Sequence, residues 1–252
     1  MENLKNYLPE SLEGKKVLIS GGTTGIGRAT AVTLAAAGAH VLIFGRHRPE
    51  LDETMDLIKG IDRPTQCFGM VADVADPEDI KRIFEVIDIQ FGFLDVLVNN
   101  AAVAYQSVME GSYPDWSYVI QTNLVGYMAC TYEAVNRMLP RQSGHIVNIG
   151  SMSADVREQG SSVYVASKSG IQGFSEALRK ELNEQGIKVT LIEPGATATD
   201  MQKLSAEEMK EKVNAMEMLE AEDIAMAVHY ALSQPKRTDV VSLQIRPHLQ
   251  LI

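Results

Sequence analysis

Short runs of aliphatic residues alternate with longer amphipathic stretches along nearly the whole chain, and this alternation restricts the fold more than any other feature. Lys16–Ser20, His40–Phe44, Gln66–Val71, Leu94–Asn99, His145–Ile149, Ile187–Ile192 and Val240–Ile245 read as strands. Gly25–Gly38, Arg48–Lys59, Pro77–Phe91, Pro114–Leu139, Ser161–Gln185, Ala206–Met216 and Glu222–Leu232 read as helices. Asp76 and Pro77 supply an N-cap and a first helical residue. Strands separated by helices imply βαβ units and a mostly parallel sheet. The strands are apolar throughout rather than alternating, as in a sheet covered on both faces. No Gly/Ser linker, repeat or low-complexity block divides the 252 residues. The expectation is a single α/β domain spanning 1–252, doubly wound, with an N-terminal extension at 1–14 and a candidate substrate lid at 196–218.

Ligands of such sheets bind beyond the carboxyl ends of the strands. The segment after the first strand is Ser20-Gly21-Gly22-Thr23-Thr24-Gly25-Ile26-Gly27. Its glycines 21, 25 and 27 follow G-x-x-x-G-x-G rather than G-x-G-x-x-G, but the physics is shared. One glycine makes a tight turn, one lets backbone amides approach a pyrophosphate, and one permits close helix–strand packing. The helix N-terminus adds N–H donors and a favourable dipole. After the second strand comes Gly45-Arg46-His47-Arg48, with no acidic residue to hold a ribose 2′-hydroxyl. A guanidinium pairs with a 2′-phosphate, so Arg46 favours NADP(H) over NAD. Asp73 and Val74 end the third strand region, where a carboxylate and an aliphatic side chain suit an adenine ring. Asn99-Asn100-Ala101-Ala102 ends the fourth with small residues that let a backbone pass close to a cofactor.

Tyr164 and Lys168 stand four residues apart and share a helix face. Ser151 follows the apolar run His145–Ile149 and lies at a strand tip. A phenol beside a fixed cation is a plausible acid/base for a carbonyl oxygen, since a cation favours phenolate and proton transfer is most efficient near the working pH. With the glycine-rich turn, this arrangement points to hydride transfer using a nicotinamide cofactor.

Taken together, these segments resemble the short-chain dehydrogenase/reductase family from about Lys15 to Val241. The resemblance rests on Gly21-x-x-x-Gly25-Ile26-Gly27, Asp73, Asn99-Asn100-Ala101, Ser151 with Tyr164-x-x-x-Lys168, and Pro194-Gly195. It implies a Rossmann-type fold and a role for each matching position. Tyr164 is the expected general acid in reduction and base in oxidation. Ser151 orients the substrate oxygen. Lys168 binds the nicotinamide ribose and depresses the tyrosine pKa. Asn123 anchors a water in a proton relay. Thr23, Thr24, Ile26, Asn100 and Ala101 line the cofactor channel, and Pro194, Gly195, Thr197 and Thr199 hold the nicotinamide end. The family also implies a homodimer or homotetramer built on the two long helices. Two departures stand out: Ala102 replaces a glycine, and Ser20 replaces a threonine while keeping the hydroxyl. The ending Asp239–His248 looks like the subgroup of 3-hydroxy acid dehydrogenases and some aldehyde reductases.

The remaining features narrow the partners. A net charge of −10 with no basic stripe argues against nucleic acid. No run of about 18 apolar residues offers a membrane span, and Met1 to Gly14 has no secretory apolar run. Cys67 and Cys130 read as plain buried thiols, and no His/Cys/Asp cluster has metal spacing. A reduced, cytoplasmic enzyme is expected. Substrate walls are expected from 153–162, 104–112 and the methionine-rich 196–218, with Arg157 expected to face solvent in preference to meeting an anionic substrate. The favoured substrate is a small carbonyl compound or alcohol. The alternatives are a 3-oxoacyl thioester of a carrier protein, or no substrate at all in a non-catalytic NADP-binding sensor.

Overall fold

Every strand pairing in the computed structural model, which describes residues 8–250, is parallel. Strands β1 (Lys16–Ser20), β2 (His40–Gly45), β3 (Cys67–Val71), β4 (Val96–Asn99), β5 (Gly144–Ile149), β6 (Ile187–Pro194) and β7 (Ser242–Ile245) form one sheet in the order β3-β2-β1-β4-β5-β6-β7. The expected mostly parallel sheet is thus wholly parallel. The order reverses between β1 and β4, where Leu18 lies opposite Leu42 on one side and Leu97 on the other. A doubly wound sheet opens a crevice at such a switch point.

Successive side chains explain why the strands are apolar throughout. Val17, Ile19, Val41 and Ile43 enter one core cluster, and the intervening Leu18, Leu42 and Phe44 enter another. The first cluster lies under helices α1 (Gly25–Ala36), α2 (Arg48–Lys59) and α9 (Ala221–Leu232); the second lies under α3 (Pro77–Gln90), α5 (Gly126–Met138) and α7 (Ser162–Leu182). Asp76 caps α3 by accepting from Glu78 N, with Pro77 at the first turn.

Three departures from the sequence-based expectation have local causes. The long helix expected over Pro114–Leu139 divides into α4 (Tyr113–Ile120), a π-helical turn at Gln121–Val125, and α5. An extra residue in that turn brings Asn123 against the backbone of Val103, and Gly126 leaves room for Val74, whose carbonyl would lie 2.8 Å from an added Cβ. A four-residue helix α6 (Ser153–Val156) follows β5 and ends at Arg157, whose φ of 54° is left-handed. Cys67 is only half-buried, while Cys130 is fully buried. Residues 1–7 of the expected N-terminal extension, and 251–252, lie outside the described residues. Leu12 of that extension packs into the core. The expected lid at 196–218 contains α8 (Ala206–Asn214), none of whose residues is buried. Its base is pinned where Leu219 N donates to Ala196 O and Ala198 N donates to Leu219 O, both at 2.8 Å. Among the described residues, no helix is long and apolar enough to cross a membrane.

Candidate active site

The turn after β1 is held open by backbone geometry that favours glycine. Gly21 and Gly25 have φ of 61° and 48°. A Cβ on Gly21 would lie 2.7 Å from Ala101 Cα, and one on Gly27 would collide with the Gly21 carbonyl oxygen. Ser20 Oγ, fully buried, accepts from Asn100 N at 2.9 Å and Ala101 N at 3.0 Å. Asn100 Nδ2 in turn donates to the carbonyls of Ser20 and Gly21. This explains the hydroxyl that survives at position 20. The N-cap of α1, Thr24, is extended and makes no side-chain cap, and the first turn holds no acidic residue. Its N–H groups therefore keep the anion-binding character of a helix start. Thr24 Oγ1 instead donates to Asp200, which draws the segment after β6 across the turn.

A cleft of about 380 Å³ runs from this turn along the strand ends, within the usual range for small-molecule sites. It is lined by every residue given a catalytic or cofactor-binding role from the sequence except Gly27 and Asn123. Gly27 sits behind the turn, where it serves packing. Asn123 is fully buried: Oδ1 accepts from Val103 N at 2.8 Å, and Nδ2 donates to Val103 O and Ser167 Oγ. It ties the π turn to the loop after β4.

Beyond the end of β2, Arg46 donates to the Tyr118 hydroxyl at 2.6 Å, and that hydroxyl donates to Asp73 Oδ2 at 2.8 Å. The phenol of Tyr118 is pushed up by burial and by the Asp73 carboxylate, and pulled back by Arg46. Glu50 also lines the cleft, with Oε2 buried and unbonded. Neither carries a sequence signal: Tyr118 meets its partners from other crossovers, and no local motif marks Glu50.

Lys168 and Tyr164 project from α7 toward the end of β5. Lys168 Nζ donates to Ile149 O at 3.0 Å, a carbonyl that also accepts from the buried Tyr127 hydroxyl at 3.3 Å. The lysine is 3% exposed, and burial lowers its pKa to about 8. Its ammonium lies 5.7 Å from the centroid of the Tyr164 ring. Burial pushes the Tyr164 phenol above its ordinary value, a hydrogen bond with Ser151 draws it back, and the Glu158 carboxylate raises it. Desolvation thus outweighs the acidifying effect expected of Lys168, whose ammonium is turned to the β5 carbonyl. His145 is buried against Thr190, and burial lowers its pKa to about 3, so it serves the sheet and not the cleft.

A second cavity of about 460 Å³ meets the first at Ser151, Tyr164, Pro194 and Gly195. Its walls come from 104–105, 151–161 and 194–202, as expected, and also from Gln250, whose Oε1 accepts from Ala196 N. Of the methionines at 201, 209, 216 and 218, only Met201 lines it; Met218 belongs to the core. No group of three His, Cys, Asp or Glu side chains among the described residues has metal-binding geometry.

Comparison with known proteins follows the same lines. A family model described as short chain dehydrogenase matches residues 15–210. A 3-oxoacyl-[acyl-carrier-protein] reductase FabG of Staphylococcus aureus (strain Mu50 / ATCC 700699) is 34% identical over 203 residues, covering 79% of this chain and 81% of that one. The protein of the same name from Haemophilus influenzae is 34% identical over 232 residues, covering 88% and 92%. An uncharacterized oxidoreductase of Staphylococcus saprophyticus is 32% identical over 237 residues, covering 94% and 98%. The crystal structure of a short-chain type dehydrogenase/reductase from Mycobacterium marinum superposes with a TM-score of 0.84 over 94% of this chain and 96% of that one. At 24% identity, that superposition speaks to the fold alone.

Proposed function

The chain belongs to the short-chain dehydrogenase family, and from that premise we propose that it is an NADP(H)-dependent oxidoreductase that interconverts a small carbonyl compound and its alcohol. The observation that carries this reading is a single continuous cleft that holds the glycine turn and Arg46 at one end and Ser151, Tyr164 and Lys168 at the other. The residues present fit a dinucleotide: Gly21 and Gly25 line the cleft beside the start of α1, which has no side-chain cap and no acidic residue in its first turn, leaving N–H donors for a pyrophosphate.

Gly21, Thr23, Thr24, Gly25 and Ile26 cradle the phosphates. Arg46 receives the 2′-phosphate, and Asp73 and Val74 meet the adenine. Asn100 and Ala101 line the middle of the channel. Pro194, Gly195, Thr197 and Thr199 hold the nicotinamide end, and Tyr164 and Lys168 its ribose. When bound, the nicotinamide supplies the hydride in reduction and accepts it in oxidation. Ser151 Oγ orients the substrate oxygen. The Tyr164 phenol gives its proton to that oxygen in reduction and takes it back in oxidation. A phenol kept protonated by burial suits the acid of the reductive direction. Asn123 holds the loop after β4 in place behind these groups and belongs to the proton path. We place the enzyme in the cytoplasm, as a homodimer or homotetramer. Val125, Met128 and Tyr132 at and along α5 expose apolar surface suited to a second copy.

A second reading, a 3-oxoacyl thioester reductase, is favoured by the names of the two FabG relatives. Initial rates of NADPH and NADH oxidation over aldehydes, ketones, 3-oxo acids and 3-oxoacyl thioesters decide between them. Tyr164→Phe should leave NADPH binding intact while turnover falls by roughly 10²–10⁴-fold; a variant that still turns over overturns the proposal.

A further inference from the structure

The cavity on the substrate side of Tyr164 carries one ionic side chain besides the catalytic phenol, and that side chain is an acid. Glu158 lines it together with Tyr105, Ser153, Ser161, Gln202 and Gln250. The carboxylate is pinned on one side, since Ser153 Oγ donates to Oε1 at 2.7 Å. Among the described residues, no lysine, arginine or histidine lines the cavity. Arg157 and Lys203, next to lining residues in the chain, bond outside it, and Arg246, packed at Gly195, is not among the lining residues. Arg157 turns back through its left-handed backbone, and its Nε donates to Ala154 O at 3.1 Å. Lys203 donates to the Gln106 amide oxygen at 2.8 Å, once that amide is oriented so that its nitrogen meets Glu110.

Glu158 is solvent-exposed at the mouth of the cavity, and a carboxylate held there by Ser153 gives whatever enters a negative potential to pass. Like charges brought together there are strongly penalised, and an opposite charge is drawn in. The field reaches the reaction centre, because Glu158 is one of the groups that raise the Tyr164 phenol.

We propose that the pocket selects ketones and secondary alcohols bearing an amine, with Glu158 receiving the ammonium and turning away carboxylates. This rests on the reading of the chain as a carbonyl/alcohol oxidoreductase and names its substrate class. The remaining polar walls, Ser161, Gln202 and Gln250, suit hydrogen bonding along a short chain, and Val156 and Met201 suit its methylenes. A free 3-oxo acid, or a thioester delivered by an acidic carrier, meets no cation in this cavity.

Three matched alcohols test it: 4-amino-2-butanol, 2-pentanol and 3-hydroxybutyrate, oxidised with NADP⁺ at about pH 8, where an alkylamine is an ammonium. The wild-type kcat/KM for the amine should exceed that for the carboxylate by roughly tenfold or more. Glu158→Gln should cut this ratio by about fivefold or more, and Glu158→Lys should take it below one. Ratios formed within each variant cancel any loss of active protein and any change at Tyr164. An amine-to-carboxylate ratio at or below one in the wild type, or one that Glu158→Gln leaves unmoved, overturns the substrate class while oxidation of 2-pentanol still upholds the oxidoreductase. Failure to oxidise any of the three overturns both.

Discussion

Lys168→Met should make the nucleotide-free protein more stable while removing its activity, and the gain should depend on pH in a calculable way. The ammonium is 3% exposed, has one hydrogen-bond acceptor in Ile149 O, and has no carboxylate partner. Burial takes its pKa from an ordinary 10.5 to about 8. At about 1.4 kcal/mol per factor of ten in proton affinity, the penalty on the charged form is about 3 kcal/mol. Below pH 8 the folded and unfolded chains both carry the proton, so the penalty is complete. Between pH 8 and 10.5 the unfolded chain holds a proton that the folded chain has released, and stability rises with pH. At about pH 9.5 some 2 kcal/mol has been recovered. Methionine also forfeits the bond that the neutral amine would keep to Ile149 O, worth about 1 kcal/mol. The carbonyl is not orphaned, because Tyr127 also donates to it. The variant should therefore exceed the wild type by about 2 kcal/mol at pH 7, and that advantage should nearly vanish at about pH 9.5. Urea unfolding followed by circular dichroism at the two pH values measures both gaps. A methionine variant less stable at pH 7, or a gap that ignores pH, would refute the assignment of a strained, uncompensated cation to this site. The strain is expected of a group kept for function at a cost in stability.

Arg46→Asp should lower kcat/KM for NADPH by roughly 30–100-fold, the worth of a charge-assisted bond of about 2–3 kcal/mol, with a far smaller change for NADH; equal losses with both cofactors would remove the 2′-phosphate assignment. Gly27→Ala forces a methyl against the Gly21 carbonyl and should raise the Kd for NADPH by roughly tenfold or more, read by fluorescence titration, through overpacking of about 1–3 kcal/mol. Ser20→Ala leaves the Asn100 and Ala101 N–H groups without their acceptor and should cost about 2–4 kcal/mol in urea unfolding, whereas Ser20→Thr should retain most of the stability.

The cofactor turn was legible because its information is local. Glycines at 21, 25 and 27 answer to steric limits within a few residues, and Tyr164 and Lys168 answer to the helical repeat. The π turn at Gln121–Val125 was not legible, because the apolar rhythm continues through it from α4 into α5. The extra residue is explained only by Val103, twenty positions away, whose backbone groups Asn123 satisfies. The direction of the Tyr164 shift was also hidden. A lysine four residues on suggests an acidified phenol, but the depth of burial and the pull of Ile149 O on the ammonium are properties of the packed layers.

The sequence alone determined the parallel α/β sheet, the glycine-rich turn after β1 and the grouping of Ser151, Tyr164 and Lys168 at one cleft, since each rests on periodicity or close spacing that short-range sterics enforce. Tertiary structure decided which distant residues share the cleft. Arg46, Asp73 and Tyr118 meet because β2 and β3 lie side by side and α4 packs against their ends. Gln250 and Glu158 reach one cavity because β5, β6 and β7 are neighbours. The order in which the crossovers lay down the strands sets those meetings, and that order is fixed by how whole faces bury against one another, which no window along the chain contains.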